Sequence, residues 1–163
     1  MKPLYIIMGV SGCGKTTIGK LIAHKLQLPF YDADDFHPDS NKEKMSKGHP
    51  LDDDDRAPWL QILSLKLNEW ANKSGAVLAC SALKESYRKI LNKDKEIHWI
   101  YLDGNYDLIN ERLKDRHDHF FDQGLLASQF ETLEVPNYGM HINIEAAPRD
   151  IIKSIVNNLN KHA

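Results

Sequence analysis

The sequence predicts an α/β fold in which helices cover both faces of a parallel sheet. Its 163 residues fit one domain, 1–163, since single domains commonly run to about 100–200 residues. Short apolar runs alternate with amphipathic segments along the chain, which is typical of βαβ units. Several runs are apolar almost throughout, as strands buried on both faces are. We therefore expect a three-layer α/β fold around a five-stranded parallel sheet.

The predicted strands are four clear apolar runs and one shorter segment. They lie at residues 4–8, 30–31, 76–80, 97–102 and 141–144. Three segments between or after them carry apolar residues at helical spacing. These positions are Ile18, Leu21, Ile22, Ala23 and Leu26, then Leu60, Leu63, Leu67 and Trp70, and finally Ile151, Ile152, Ile155, Val156 and Leu159.

Composition excludes several classes of protein. With 42% hydrophobic residues and a net charge of −2, the chain has no disordered character and no reason to bind nucleic acid. No apolar stretch reaches the ~20 residues that a membrane span needs, so we expect no membrane partner. The apolar run near the start precedes a glycine-rich loop, which indicates a core strand and not a signal peptide. Two cysteines predict no disulfide framework, hence a cytoplasmic protein, and a homodimer is left open.

The strongest motif follows the first predicted strand. It reads Gly9-Val10-Ser11-Gly12-Cys13-Gly14-Lys15-Thr16 and matches G-x-x-x-x-G-K-[ST] in full. Glycines let successive backbone N–H groups surround a phosphate, and the following helix N-terminus adds partial positive charge. Lys15 is expected to reach the terminal phosphates and the Thr16 hydroxyl to coordinate Mg²⁺. The motif predicts that the protein binds a nucleoside triphosphate.

Cys13 lies inside this loop, ahead of a helix N-terminus. That position can lower the pKa of a thiol and make it sensitive to oxidation. The alternative is an inert replacement for serine.

Acidic residues follow the second predicted strand. Asp32 and Asp34 alternate, so an extended backbone would point both to one side, at the sheet edge where α/β proteins bind ligands. We expect Asp32 to hold Mg²⁺ through water and Asp34 to orient or deprotonate a hydroxyl nucleophile. A solvated turn with helix-capping aspartates is the alternative reading.

Several further sequence blocks follow the phosphate loop: Asp32-x-Asp34-x-x-His37-Pro38, Lys44-Met45, Asp55-Arg56-x-Pro58-Trp59, Cys80-Ser81-Ala82-Leu83-Lys84-x-x-Tyr87-Arg88, Arg112-Leu113-x-x-Arg116-x-x-His119-Phe120 and Ser128-Gln129-Phe130-x-x-Leu133-Glu134-x-Pro136. Together these blocks resemble the small gluconokinases, which are related to shikimate and adenylate kinases. The resemblance spans residues 5–136 and implies strand order 2-3-1-4-5, a lid at about 117–136 and ATP-dependent phosphorylation of D-gluconate.

The resemblance also completes the expected site. The ATP-binding set is Gly9, Ser11, Gly12, Cys13, Gly14, Lys15, Thr16, Thr17, Arg112 and Pro148; the substrate set is Asp34, His37, Arg56, Lys84, Arg88 and His119; the catalytic set is Lys15, Asp34 and Arg116; the metal set is Thr16 and Asp32. Cations suit the carboxylate of a sugar acid, and Arg56 offers it a planar fork. Each cation could instead form a surface salt bridge.

Two alternatives remain to be weighed. Shikimate kinase, or another small sugar-acid kinase, would share the loop and the paired acids, but the third strand here leads into Cys80-Ser81-Ala82 instead of a glycine triplet. A nucleotide-dependent switch would need an Asp-x-x-Gly element there, and the sequence lacks one.

Overall fold

A computed structural model describes residues 1–115 and 123–161. In this part of the chain the strands are β1 (Leu4–Met8), β2 (Phe30–Asp32), β3 (Ala76–Ala79), β4 (His98–Asp103) and β5 (Met140–Asn143). The helices are α1 (Lys15–Leu26), α2 (Asp39–Ser46), α3 (Asp53–Ala71), α4 (Glu85–Asn92), α5 (Tyr106–Lys114), α6 (Gln123–Thr132) and α7 (Pro148–Lys161). A 3₁₀ helix, Ala33–Phe36, follows β2.

The five described strands form one parallel sheet in the order β2-β3-β1-β4-β5, which confirms the predicted fold and strand order. At the centre, Ile6 of β1 is in register with Leu78 of β3 and with Trp99 of β4. Each predicted strand is present, with ends shifted by one residue in four of them.

The helices divide between the two faces of the sheet because parallel crossovers are right-handed. The chain moves from β1 to β2 in one direction and then from β2 through β3 and β4 to β5 in the other. The first crossover therefore places α1 on one face, and the later ones place α3 to α6 on the opposite face. The last helix, α7, packs against α1.

The core is formed by apolar residues of β1, β3 and β4 and by the inner faces of the helices. Ile6 and Ile7 of β1, Ile22 of α1 and Leu63 of α3 are fully buried. No helix in the described residues is long and apolar enough to span a membrane. This arrangement places the carboxyl ends of β1, β2 and β3 side by side at one edge, where the motif residues meet.

Candidate active site

The phosphate loop connects β1 to α1 and has the backbone shape that its glycines allow. Gly12 (φ 81°) and Gly14 (φ 99°) adopt left-handed conformations. A Cβ on Gly12 would lie 2.7 Å from Cγ of Leu113, so any side chain there would collide with α5. Because α1 begins at Lys15, the loop lies against the N-terminus of that helix, as an anion site requires.

A crevice of about 830 Å³ opens beside this loop. Ten of the predicted site residues line it: Ser11, Gly12, Gly14, Lys15, Thr16, Thr17, Asp32, Asp34, His37 and Arg56. The Lys15 ammonium donates a hydrogen bond to the Val10 carbonyl at 3.0 Å, which keeps it folded over the loop. The structure thus brings the phosphate, metal and acceptor candidates into one space.

Asp32 ends β2 and makes two contacts at the crevice. One carboxylate oxygen accepts a hydrogen bond from the Thr16 hydroxyl at 3.2 Å, and the other accepts one from the backbone N–H of Asp34 at 3.0 Å. The second contact caps the 3₁₀ helix, so the backbone turns after Asp32. The expected extended alternation of Asp32 and Asp34 is therefore wrong, although both side chains line the crevice.

The Asp34 carboxylate lies in the crevice with its side chain 76% exposed. Desolvation by the surrounding protein atoms raises the pKa of the Asp34 carboxyl. Lys15 opposes the rise, whereas the negative charges of Asp32 and Asp35 reinforce it. A carboxylate with a raised pKa suits proton transfer from an acceptor hydroxyl.

His37 is buried, stacked on Trp59 with ring centroids 4.2 Å apart. Burial, followed by the nearby charges of Arg56 and Lys42, lowers the pKa of His37 to about 4 and keeps the ring neutral. The Asn41 amide nitrogen donates to the Asp55 carbonyl at 2.7 Å and lies 3.2 Å from Nδ1 of His37. Nδ1 therefore accepts, and the proton is on Nε2, which lies 3.8 Å from the Asp34 carboxylate.

Arg56 lies on α3, where the crevice joins a second cavity of about 370 Å³. Its Nη1 donates to the Tyr87 hydroxyl at 3.1 Å. Lys84 lines only the second cavity and is paired with Asp53, which also accepts a hydrogen bond from Tyr87. Of the three cations predicted to bind the substrate carboxylate, Arg56 therefore reaches the crevice and Lys84 lies beside it.

The structure does not bring Arg88 to the crevice. Its side chain is buried, and its donors bind the carbonyls of Ala82 (2.7 Å) and Glu134 (2.8 Å), the Glu85 carboxylate (3.0 Å) and the Tyr138 hydroxyl (2.9 Å). This position does not support the placement of Arg88 in the substrate set, because α4 packs this side of its first turn inward.

Cys13 is almost completely buried beneath the loop. Burial raises the pKa of its thiol, and the opposing charge of Lys15 is a smaller effect. The expected lowering of the thiol pKa is therefore wrong, and the geometry favours the inert alternative. A Cβ on Gly9 would lie 2.8 Å from the Cys13 sulfur, so the backbone of Gly9 packs directly against this buried thiol.

Two further ATP-site candidates lie away from the residues that line the crevice. Arg112 donates to the Ile144 carbonyl at 2.6 Å, which ties α5 to the segment before α7, and Pro148 begins that helix. Their roles beside the nucleotide stay predictions. Arg116 and His119 lie outside the described residues, as does part of the predicted lid at 117–136. Within that range, α6 and the segment after it are described.

Two residues at the crevice were not among the predicted site residues, although Gln129 lies in one of the blocks that carry the family resemblance. Lys42 and Gln129 both line the crevice, the first from α2 and the second from α6. Gln129 bonds the loop residue Ser11 across 118 positions of the chain. Such a contact depends on how α6 packs, which spacing along the sequence does not reveal.

The residues at the loop fit the magnesium of a nucleotide. Within residues 1–115 and 123–161 no group of three His, Cys, Asp or Glu side chains could hold a metal alone. Mg²⁺ bound with a nucleotide needs less protein, because phosphates and water supply most of its oxygen ligands. The Thr16 hydroxyl and the Asp32 carboxylate are oxygen donors of the required kind, placed together beside the loop.

Known proteins similar to this chain are found by sequence and by structure. The family model described as "Shikimate kinase" matches residues 11–154. The thermoresistant gluconokinase of Escherichia coli is 46% identical over 136 residues, covering 82% of this chain and 77% of that protein. The gluconokinase of Gluconobacter oxydans is 46% identical over 139 residues, covering 83% and 78%.

A crystal structure of a gluconokinase from Sinorhizobium meliloti superposes with a TM-score of 0.90 at 36% identity, covering 99% of this chain and 93% of that one. The match therefore extends through both the phosphate loop and the acceptor side of the crevice. This chain belongs to the gluconokinase family.

Proposed function

We propose that the protein transfers the γ-phosphoryl group of ATP to the 6-hydroxyl of D-gluconate. The observation that carries this proposal is the crevice itself, which joins the phosphate loop, a carboxylate with a raised pKa and an arginine. The bond from the acceptor oxygen to phosphorus forms as the bond to the ADP oxygen breaks, and the hydroxyl proton passes to Asp34. The products are 6-phosphogluconate and ADP.

Each group has a part in the transfer. The loop amides and Lys15 bind the phosphates, and Lys15 leaves the Val10 carbonyl to do so. Thr16 and Asp32 would hold Mg²⁺, Asp32 through bound water, and the ion would supply positive charge against the charge that develops on the phosphates. Arg56 binds the carboxylate of gluconate, supported by its contact with Tyr87.

His37 completes the acceptor side. Because the ring is neutral with its proton on Nε2, it can donate one hydrogen bond to a gluconate hydroxyl beside Asp34. Stacking on Trp59 and the bond to Asn41 fix the direction of that donor. Arg116 and His119, from outside the described residues, remain candidates for the transferring phosphate and the substrate.

The state of the two cysteines supports a reaction in the cytoplasm. Both cysteines, Cys13 and Cys80, are buried and unpaired in the described chain, as expected of a protein kept in a reducing compartment.

An ADP-release assay tests the function. The purified protein is incubated with Mg-ATP and with gluconate, shikimate, other sugar acids or no acceptor. We expect release of ADP to depend on gluconate and to exceed release with shikimate. Turnover that ignores gluconate, or that prefers shikimate, would contradict the proposal.

A further inference from the structure

A side chain of α6 is bound directly to the phosphate loop. Oε1 of Gln129 accepts a hydrogen bond from the backbone N–H of Ser11 at 2.7 Å, and Nε2 of the same amide lies 2.9 Å from the Ser11 hydroxyl oxygen. The two residues are 118 positions apart. Both line the crevice that holds Asp34 and Arg56.

The chemistry of the partners fixes which way each hydrogen bond runs. A backbone N–H can only donate, so the Gln129 atom facing it is the oxygen. The other amide atom is then the nitrogen, which carries hydrogens and can only donate. The Ser11 oxygen therefore accepts from Gln129, and its own proton must point elsewhere. Gln129 thus excludes its own direction for the Ser11 proton and leaves the hydroxyl to donate on its other sides, which include the crevice.

The segment just after α6, the helix that carries Gln129, is hydrogen-bonded to the rest of the fold. The N–H of Glu134 donates to the Leu83 carbonyl at 2.7 Å, and the buried Arg88 donates to the Glu134 carbonyl at 2.8 Å. These bonds attach the end of α6 to the segment that follows β3. The helix that carries Gln129 is therefore anchored to the segment after β3. From this anchored position the Gln129 side chain can hold the phosphate loop in place.

We propose that Gln129 is a positioning residue for phosphoryl transfer, which holds Ser11 so that its hydroxyl donates into the crevice towards the transferring phosphoryl group. This inference rests on the proposed function, in which that crevice binds ATP and gluconate. A fixed donor aimed at developing charge accelerates transfer because it needs no reorganisation during the reaction. Loss of one such donor lowers kcat by about 10²–10³-fold in other enzymes.

Gln129→Glu tests the direction of the hydrogen bonds without changing the shape of the side chain. One carboxylate oxygen can still accept from the Ser11 N–H, but the other now accepts from the Ser11 hydroxyl and turns its proton away from the crevice. We expect kcat to fall by at least about 10-fold. We expect KM for gluconate to stay near its wild-type value. Ser11→Ala, which removes the hydroxyl itself, should lower kcat by a similar factor.

The double variant separates this effect from the added negative charge. With Ser11→Ala in place there is no hydroxyl to redirect, so adding Gln129→Glu should lower kcat much less than it does in the wild type. Glu131→Gln, on an exposed position of the same helix, is the matched control and should keep the wild-type kcat. Thermal unfolding of each protein checks that the fold is intact.

The outcomes are distinct. An equal fall in kcat in both backgrounds would assign the effect to charge or packing and overturn the inference, as would a wild-type kcat for Ser11→Ala. Should Gln129→Glu not fold, Ser11→Ala alone decides. The same proteins are assayed for ADP release to water without an acceptor, where the same pattern is expected. If gluconate is not a substrate, the proposed function is contradicted. The role of Gln129 is then decided by the kcat values for ADP release to water.

Discussion

The hydroxyl of Thr16, in the first turn of α1, donates a hydrogen bond to the carboxylate of Asp32 at the end of β2. The same carboxylate holds the N–H of Asp34 and so fixes the turn on which the second acid lies. Asp32 is thus bonded to the phosphate-loop side of the crevice, whereas Asp34 lies on the turn that follows it. This division motivates different roles for two acids only two positions apart.

The first prediction separates those roles. Asp34→Asn should lower kcat by about 10²–10⁴-fold, the usual contribution of a general base, with little change in the affinity for ATP. Asp32→Asn should instead raise the Mg²⁺ concentration that gives half-maximal activity. Activity of both variants is measured across a Mg²⁺ titration. Rescue of Asp34→Asn, but not of Asp32→Asn, by excess Mg²⁺ would reverse the two assignments.

A pH dependence follows from the raised pKa of Asp34. The carboxyl must be ionised to accept the proton, so kcat/KM should fall as the pH drops through its pKa. Because desolvation raises that pKa, the fall should occur above the ordinary aspartate value of 3.8. Asp34→Asn should remove this limb from the pH profile, and persistence of the limb would assign it to another group.

The second prediction concerns Lys15. Lys15→Ala should lower kcat by about 10²-fold or more, since it removes a positive charge aimed at the phosphates. The fold should be retained because, within residues 1–115 and 123–161, the ammonium hydrogen-bonds no group other than the nearby Val10 carbonyl. Lys25→Ala, exposed near the end of the same helix, is the control. Near-normal kcat for Lys15→Ala with gluconate would disprove the assignment of the phosphate site.

Arg56 is the subject of the third prediction. Arg56→Lys keeps the charge but loses the planar fork, so KM for gluconate should rise about 10- to 100-fold, given ~1.5–3 kcal/mol for a hydrogen bond to a charged group. KM for ATP should change little. The uncharged amide of gluconic acid serves as a comparison substrate. Arg56→Ala should abolish the preference for gluconate over this amide, and a preserved preference would place the carboxylate elsewhere.

The fourth prediction is that Arg88 stabilises the fold and does not bind substrate. Arg88→Met leaves the buried carbonyl of Ala82 without a donor, at a cost of about 1–3 kcal/mol, and also removes the bond to the Glu134 carbonyl. The unfolding temperature should fall, while KM for gluconate of the folded enzyme stays near the wild-type value. Lys89→Met, exposed on the same helix, should change neither. Unchanged stability with a raised KM would instead restore Arg88 to the substrate site.

Local pattern was sufficient for much of the architecture. The apolar runs predicted every strand of the described sheet, and for the central strands β1, β3 and β4 the reason is that strands buried on both faces need apolar side chains almost throughout. The phosphate loop was predictable for a similar reason, since Gly12 and Gly14 satisfy a requirement of the backbone itself. The direction of the chain after Asp32 was not predictable in this way. There the Asp32 side chain caps a 3₁₀ helix, and the backbone turns instead of continuing in the extended conformation that the alternating acids suggested.

The sequence by itself determined the sheet, the phosphate loop and the residue types available for catalysis, because these depend on neighbours close along the chain. Tertiary structure alone decided which cations face the crevice. Arg56 lines it, Lys84 pairs with Asp53, and Arg88 is buried, although all three look alike as charged residues in the sequence. The bond between Gln129 and Ser11 likewise arises only when α6 packs over the loop. Burial and hydrogen-bond partners are properties of packing, and packing joins residues that are distant in the chain.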